Sequence, residues 1–266
     1  MTSNRCVWIA ALAAACAVLC GSTGCVEPVS PEAKQLLLDG RAAYDRGEDP
    51  TVVRQTTAFL AQHGRSSLSD VAHYLRGLAD YRQQDLPAAR TDLHAALAET
   101  KRRDIRLGSL KALGDMAYED GDMAGADGFY RQALAECQPS ARPADEIGYR
   151  LGCALQAQGR WSEADEQLDR VAHVFAGSEI ARRAERRLRC VAWTIQAGAY
   201  EKKAAADTEA ARLRAAHLPA NTRPVVVGDK LRFFVQAGWF DTRDKAATLL
   251  PAVRNARPDA FIIPSR

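Results

Sequence analysis

The sequence predicts an all-α array of helical hairpins followed by a small α+β domain with the element order β-α-β-β-α-β. Two internal repeats predict this arrangement. A glycine-anchored helical pattern recurs every 37 or 38 residues within residues 31–190, and a motif of eight residues occurs twice, forty residues apart, within residues 191–266. Hydrophobic residues make up 47% of the chain and charged residues 26%, so both parts have enough apolar side chains to bury a core.

Residues 1–24 have the pattern of a secretory signal peptide. Arg5 gives a short positive region, an apolar run extends from Cys6 to Cys20, and small residues follow from Gly21 to Gly24. The apolar run has about 15 residues, whereas a membrane-spanning helix needs roughly 20. The segment is therefore interpreted as a leader that directs the chain across a membrane.

The end of this leader, Gly24-Cys25, resembles the lipobox of bacterial lipoproteins, although Ser22 stands where Leu is usual. The resemblance implies that the leader is removed before Cys25, that the Cys25 thiol carries a lipid anchor, and that residues 25–30 form a tether to the membrane. Because Val26 and not Asp follows the cysteine, the outer membrane is favoured over the inner one. Simple secretion and an uncleaved N-terminal anchor are the alternatives.

Residues 31–190 read as helices of 12–17 residues separated by Gly, Asp and Pro. The pattern starts at four glycines, with Tyr four residues later in the first three copies. In the last three copies, Ala follows at position +12 and Leu or Tyr at position +16. Each copy predicts a hairpin in which the glycine lets the second helix approach closely and the residue at +16 fills the space between the helices. The anchoring glycines are Gly40, Gly77, Gly114 and Gly152.

The segments LGDMAYEDGDMAGADGFYRQALAE (113–136) and LGCALQAQGRWSEADEQLDRV (151–171) resemble tetratricopeptide (TPR) repeats. The unit is longer than the 34 residues usual in that family, and the first copy is the weakest. Such hairpins need about three copies to bury a continuous core, and four fit here, with a capping helix over Ser178–Arg189. The resemblance implies a protein partner, not identified by the sequence, in a groove lined by the first helices. The arginines of the cap are interpreted as a solvated face or, alternatively, as a contact with an anionic partner.

The C-terminal part repeats on another period. Trp193–Tyr200 (WTIQAGAY) is mirrored by Phe233–Phe240 (FFVQAGWF), with Gln, Ala and Gly identical in both copies. A predicted helix and a predicted strand follow each copy, and Gly228-Asp229 between the halves reads as a hairpin turn. The order is that of the ferredoxin-like split arrangement. The helices are predicted at 201–216 and 241–255, and the strands that follow them at 222–227 and 260–264.

Period-two alternation assigns the side chains of these strands to two faces. Ile195, Ala197, Val235 and Ala237 are predicted to face the helices. The opposite, open face would then carry two amides, an arginine, a threonine and an aromatic ring, which suits a sugar chain because amides bond to hydroxyl and acetamido groups and aromatic rings stack on sugars. The predicted open-face residues are Thr194, Gln196, Arg232, Phe234 and Gln236.

Over Trp193–Pro264, the strings TIQAGAY and FFVQAGWF, each followed by a helix and a strand, resemble the sporulation-related repeat (SPOR) domain. The resemblance implies binding to peptidoglycan, in particular to glycan strands without stem peptides, which accumulate at division septa. It places the family's first-strand glutamine on Gln196 and its third-strand partners near Arg232, Phe234 and Gln236. The Ser or Asn often found after the first motif is replaced by Glu201, and Pro251 is expected to kink or shorten the second helix.

The remaining features favour a binding protein over an enzyme. Residues 26–190 contain 23 Lys+Arg and 26 Asp+Glu, a net charge of −3, and residues 191–266 contain 12 and 7, a net charge of +5. A mildly basic small domain suits a polar or anionic polymer, and the overall charge of +3 does not indicate nucleic acid. The sequence has no GxSxG, HExxH or GxxxxGK motif, its five histidines share no ligand spacing, and no cofactor or metal is expected.

Two functions follow from these expectations. The first is a lipid-anchored envelope protein that binds the cell wall through residues 191–266 and protein partners through residues 31–190, in cell division or wall remodelling. The alternative is an outer-membrane assembly or scaffold lipoprotein whose C-terminal domain is a protein–protein or dimerisation module.

Overall fold

The computed structural model describes residues 29–266. The predicted leader and Cys25 lie outside the described residues, so their processing stays a prediction. Eight helices form the predicted array, and a ninth follows as its cap. They are α1 (Pro31–Asp45), α2 (Asp49–His63), α3 (Ser69–Arg82), α4 (Leu86–Glu99), α5 (Arg103–Glu119), α6 (Met123–Glu136), α7 (Ala144–Ala157), α8 (Trp161–Val174) and α9 (Glu179–Arg187).

The small C-terminal domain has the predicted βαββαβ order, which confirms the fold class. Its elements are β1 (Ala192–Tyr200), α10 (Lys203–Ala215), β2 (Ala220–Val227), β3 (Lys230–Phe240), α11 (Arg243–Ala256) and β4 (Phe261–Ser265). Helix α11 continues through Pro251 to Ala256, so the proline does not shorten it as expected. Within residues 29–266, no helix has the length and apolar character needed to cross a membrane.

The chain divides into two compact units. One ends at Glu99 and contains the first two hairpins, and the other, Thr100–Arg266, contains the last two hairpins, the cap and the C-terminal domain. The division therefore falls inside the repeats and not between residues 190 and 191, where the sequence pattern changes. The reason lies in the packing of β1 and α11 against the fourth hairpin, described below.

The anchoring glycines have the predicted role in three of the four hairpins. A Cβ atom at Gly114 would lie 2.7 Å from the Tyr130 ring, and one at Gly152 would lie 2.6 Å from Leu168. At Gly77 the corresponding distance to Leu93 is 2.9 Å. These partners are the residues at position +16, and all three are fully buried, so the second helix fits only against a residue without a side chain.

The first hairpin is packed more loosely at this point. The nearest atom to a Cβ at Gly40 would be Oε1 of Gln55, at 3.5 Å, which is ordinary van der Waals contact. A polar residue, Thr56, stands where the other copies have Leu or Tyr, and its hydroxyl donates to the main-chain oxygen of Val52 at 2.7 Å. The first copy of the repeat therefore lacks the large apolar or aromatic residue at position +16 that makes the close contact in the other three copies.

The C-terminal sheet is antiparallel, with the strand order β2-β3-β1-β4. Both helices lie on one face of it, because the buried core joins Ile195 and Ala197 of β1 and Val235 of β3 to Leu213 of α10 and Val253 of α11. The two motif copies lie side by side as the central strands, with Gln196 opposite Gln236. The duplicated motif thus forms the middle of the sheet.

The C-terminal domain is fixed to the fourth hairpin through Trp193. This side chain is 4% exposed and packs with Ala157 of α7 and Ala246 of α11. Nearby, a Cβ atom at Gly159, in the turn between α7 and α8, would lie 2.8 Å from the main-chain oxygen of Asp241. The turn before α11 therefore directly contacts the turn between α7 and α8. The C-terminal domain thus contacts the fourth hairpin both at Trp193 and at Asp241.

Candidate functional site

The face of the C-terminal sheet opposite α10 and α11 carries the predicted site. Ile195, Ala197, Val235 and Ala237 all face the helices, as expected from the alternation. Their neighbours along the strands therefore project to the other side. Neither helix of this domain covers that side. The five predicted residues therefore lie on one face of the sheet.

A row of polar side chains crosses this face at its centre. Gln196 on β1 is opposite Gln236 on β3, Gln236 is opposite Asn221 on β2, and Gln196 is also opposite Phe261 on β4. Strands lie about 4.8 Å apart, so the row extends over roughly 14 Å. Three amides and one aromatic ring are thus arranged in line, which we name the amide row (Asn221, Gln236, Gln196 and Phe261).

The accessibility of the amide row is greatest at its ends. Asn221 is exposed, and Phe261 is 50% exposed. Gln196 is half-buried, whereas Gln236 is only 8% exposed. A ligand lying across the row would first contact Phe261, Gln196 and Asn221.

Arg223 accounts for part of the burial at the centre of this face. It lies on β2 opposite Phe234, and its Nη1 donates to the Ser265 hydroxyl on β4 at 2.7 Å. Because β3 and β1 lie between these two strands, the side chain must pass over them. The right-handed twist of a sheet brings diagonal corners together and allows such a contact. The Arg223 side chain therefore crosses the face of the sheet that is opposite the helices.

Thr194 makes a structural contact that was not predicted. It is on the open face, but it is 0% exposed, and its hydroxyl donates to the main-chain oxygen of Gly238 at 2.8 Å. Gly238 has a positive φ of 71°, and the pairing of β1 with β3 is irregular between Trp193 and Ile195. Thr194 therefore satisfies a carbonyl group that the irregular strand leaves unpaired. In this structure the Thr194 side chain is enclosed, and its role in glycan contact stays a prediction.

Arg232 and Phe234 lie beside the row on β3. Arg232 donates from Nη1 to Oε1 of Glu201 at 2.6 Å, and both side chains remain partly exposed. An ion pair at such a position stabilises the fold little and can exchange for a ligand. Phe234 is half-buried and lies opposite Ala199. Glu201, the residue that replaces the Ser or Asn common in the resembling family, thus acts by holding Arg232.

Two members of the amide row, Asn221 and Phe261, were not predicted as site residues. The predicted second strand began at Thr222, whereas β2 begins at Ala220 and includes Asn221. Phe261 lay inside the predicted fourth strand, and its position opposite Gln196 follows from the strand register. Alternation from Ile262, which packs partly buried against the core, would have placed Phe261 on the open face, but only the strand order shows that it adjoins Gln196.

Comparison with protein families agrees with the architecture of the C-terminal domain. The model of the SPOR domain family matches residues 191–264. Among solved structures, a tetratricopeptide repeat protein from Parabacteroides merdae aligns with 20% sequence identity and a TM-score of 0.49. That alignment covers 59% of this chain and 58% of the other protein, so the chain spans less than two thirds of its length. No curated protein matches the chain.

The match and the fold define the class of this protein in broad terms. A SPOR domain implies binding to peptidoglycan and association with the cell envelope. It is a binding module and not a catalytic family. The helical hairpins of residues 31–187 are TPR-like, and residues 191–264 form a SPOR domain.

Proposed function

We propose that this protein is a lipid-anchored envelope protein that binds glycan strands of peptidoglycan through the amide row and a protein partner through its helical array. The leader and Cys25 support the anchor, and the SPOR domain supports the wall ligand. The anchor is proposed to lie in the outer membrane, with the chain facing the periplasm. The proposed process is cell division or wall remodelling, because a protein that binds exposed glycan strands would act there.

The amide row is the observation that carries the glycan-binding proposal. Each amide offers two N–H donors and a carbonyl acceptor, which match the hydroxyl and acetamido groups of wall sugars. The exposed Phe261 ring at the end of the row offers an apolar surface on which a sugar ring stacks. Glycan without stem peptides is the proposed form of the ligand, as the similarity to the SPOR family implies.

Binding to isolated sacculi tests this function. The full chain is incubated with intact sacculi and with sacculi treated with an amidase that removes stem peptides, and the sedimented fraction is measured. We expect stronger binding to the treated sacculi. Gln196→Ala should reduce this binding about tenfold, a loss of roughly 1.4 kcal/mol. Gln132→Ala, at an exposed position on α6, is the matched control and should bind normally.

Equal binding of the wild type and Gln196→Ala to the treated sacculi, with both proteins folded, would contradict the proposal. Circular dichroism and a thermal transition confirm folding in each case. If Gln196→Ala unfolds the domain, Phe261→Ala provides the second test, because half of this ring is already exposed to solvent.

A second function is favoured by the apolar tip of the β2–β3 hairpin. Val226 and Val227, on the edge strand β2, are 69% and 52% exposed, and Leu231, at the start of β3, is 52% exposed. Exposed apolar residues on an edge strand suit pairing with another protein or a second copy. A scaffold lipoprotein using this edge would show a mass in solution above that of a monomer, and Val226→Lys would restore the monomer.

A further inference from the structure

Two arginines lie on the open face of the C-terminal sheet, and only one of them is neutralised by a neighbour. The Arg232 guanidinium donates to the Glu201 carboxylate at 2.6 Å. The Arg223 guanidinium donates to the hydroxyl group of Ser265 at 2.7 Å, and this partner carries no charge. Within residues 29–266, no ion pair includes Arg223. Its positive charge is therefore available to an anion that comes from outside the chain.

Arg223 borders the amide row. It lies two residues after Asn221 on β2, so the two side chains share a face and the rise of the strand separates them by roughly 7 Å. On the neighbouring strand β3, Arg223 is opposite Phe234, and Asn221 is opposite Gln236. A ligand that lies along the amide row therefore has Arg223 beside it.

The Arg223 side chain lies over the sheet instead of extending into solvent. It starts on the edge strand β2 and reaches Ser265 on the other edge strand, β4, so it crosses the two central strands. Arg223 is half-buried, and Ser265 is only 4% exposed. A guanidinium group has five N–H donors in one plane, and in the described part of the chain Arg223 makes a single hydrogen bond. Its other N–H groups can therefore bind a ligand on this face.

The environment of Arg223 favours a carboxylate as that ligand group. Water screens a half-buried charge less than an exposed one, and charge-assisted hydrogen bonds are roughly twice as strong as neutral ones. The planar guanidinium also matches the two oxygens of a carboxylate with paired N–H groups. At Arg232, a ligand carboxylate would first have to displace Glu201. At Arg223 no carboxylate of the chain competes.

A wall glycan offers a carboxylate on its sugars only after the stem peptide has been removed. In the intact wall, the lactyl carboxyl group of muramic acid is joined to the peptide through an uncharged amide bond. An amidase adds water across this bond: the C–N bond breaks, the carbonyl carbon becomes a carboxylate, and the peptide leaves with a free amino group. The stripped strand is thus a polyanion, which suits the net charge of +5 on residues 191–266.

We propose that Arg223 binds the lactyl carboxylate of muramic acid and thereby makes the site selective for glycan strands without stem peptides. This inference rests on the proposed glycan-binding function and names the group by which the ligand is recognised. The amide row binds the hydroxyl and acetamido groups that stripped and intact strands share. Arg223 binds the one group that only the stripped strand has.

Two forms of one ligand test this role of the carboxylate. Tetrasaccharides are released from amidase-treated sacculi with a muramidase and labelled with a fluorescent group at the reducing end. In one portion, a carbodiimide and methylamine convert the lactyl carboxylates to methyl amides, which removes the charge without adding a peptide. Binding to the full chain is followed by anisotropy. We expect the wild type to bind the carboxylate form at least about tenfold more tightly than the amide form.

Two variants that remove the same charge give the decisive comparison. Arg223→Gln should bind the two forms equally, within about twofold, with the affinity that the wild type has for the amide form. Arg243→Gln is the matched control, because Arg243 is exposed on α11, which covers the other face of the sheet. It should keep the tenfold preference. Loss of the preference in both variants would mean that only net charge matters, and a preference that survives Arg223→Gln would equally overturn the proposal.

Further variants keep the test decisive if Arg223→Gln does not fold. Arg223→Lys retains the charge and a donor for Ser265 but lacks the paired N–H groups, so the preference should fall to about threefold. An unchanged preference in this variant would contradict the proposal. Arg232→Gln should keep the full preference. If Arg232→Gln loses it and the Arg223 variants do not, the carboxylate binds at Arg232 and the proposal is wrong.

The outcomes also separate this inference from the proposed function. Equal binding of both ligand forms by the wild type would remove the role of Arg223 and leave glycan binding by the amide row intact. If the folded wild type binds neither form, the amide row itself is not a glycan site. Raising the salt concentration should reduce the preference, because ions screen a partly exposed ion pair. A preference that does not change with salt would show that the carboxylate is not recognised by its charge.

Discussion

The indole nitrogen of Trp193, on the first strand of the SPOR domain, donates a hydrogen bond to the main-chain oxygen of Gln156 at 2.8 Å. Gln156 lies near the end of α7, and its carbonyl group also accepts from the main-chain N–H of Gly159 at 2.9 Å. The indole adds a second hydrogen bond to that group and fills the space between hairpin four and α11. Trp193 therefore joins the two modules through a hydrogen bond and through side-chain packing.

Trp193→Phe should weaken this connection without disrupting either module. The smaller ring removes the indole hydrogen bond and leaves part of the space beside Ala157 and Ala246 unfilled, at a cost of about 1–2 kcal/mol. For a unit of this size we expect the melting temperature to fall by roughly 2–8 °C. Differential scanning calorimetry measures it. Trp239→Phe, at a residue 55% exposed, is the control and should change the melting temperature little. An equal fall in both variants would contradict a special role for Trp193.

The close helix contact at Gly152 predicts a second effect on stability. A Cβ atom there would lie 2.6 Å from Leu168, so Gly152→Ala should destabilise the protein by about 1–3 kcal/mol in urea unfolding. At Gly128, in the interior of α6, no atom lies within 4 Å of the corresponding position. Gly128→Ala should therefore stabilise the helix by up to about 1 kcal/mol. The same sign for both substitutions would contradict the packing argument.

Much of this architecture could be predicted from the sequence because it is repeated. The spacing from Gly114 to Tyr130 fixed a helix pair, and the two copies of the motif fixed the central strands. The site was less predictable, since it depends on strand order and on side chains that reach across the sheet. The position of Phe261 beside Gln196 and the bridge from Arg223 to Ser265 follow from tertiary contacts that no local pattern encodes.

An ion pair in the second hairpin predicts how stability changes in acid. Burial acts to raise the pKa of Asp92, but hydrogen bonds from Arg76, at 2.5 Å and 2.8 Å, and from His73 outweigh it and lower the pKa. A carboxyl group whose pKa is lowered on folding stabilises the protein above its unfolded pKa, about 3.9, and loses that contribution as the pH falls through the folded pKa.

Asp92→Asn removes this pH-dependent contribution. We expect the variant to be less stable than the wild type near neutral pH, where the carboxylate is charged. The difference between the two should shrink as the pH falls below about 4, when the wild-type group becomes protonated. Urea unfolding followed by circular dichroism over this pH range measures both. A difference that stays constant with pH would show that the carboxylate charge does not contribute.

The proposed lipid anchor on Cys25 predicts that replacing this cysteine changes the cell fraction in which the protein is found. Cys25→Ser should abolish lipid attachment, since the hydroxyl group does not replace the thiol in this modification. The variant should move from the membrane fraction to the soluble fraction, and metabolic labelling with a fatty acid should no longer mark it. Cys137→Ser is the control, because that cysteine is buried in the second unit and should not affect labelling. Membrane retention and labelling of Cys25→Ser would exclude the lipoprotein assignment.

Thr194 and Phe261 should respond to substitution in opposite ways, because they lie on the same face of the sheet with different exposure. Thr194→Val removes the hydrogen bond to the Gly238 carbonyl and should lower the free energy of unfolding by about 1–3 kcal/mol. Sacculus binding by the folded fraction should stay close to that of the wild type. Phe261→Ala removes a half-exposed ring and should weaken sacculus binding about tenfold, with a smaller loss of stability.

The two measurements must be made on the same preparations, so that unfolding cannot be mistaken for lost affinity. If Thr194→Val reduces binding while its unfolding curve matches the wild type, the hydroxyl group takes part in recognition and the assignment made here is wrong. If Phe261→Ala binds sacculi normally, the ring at the end of the amide row does not contact sugar. The site would then have to lie on the other side of Gln196, around Arg232 and Phe234, where the ion pair with Glu201 would first have to open.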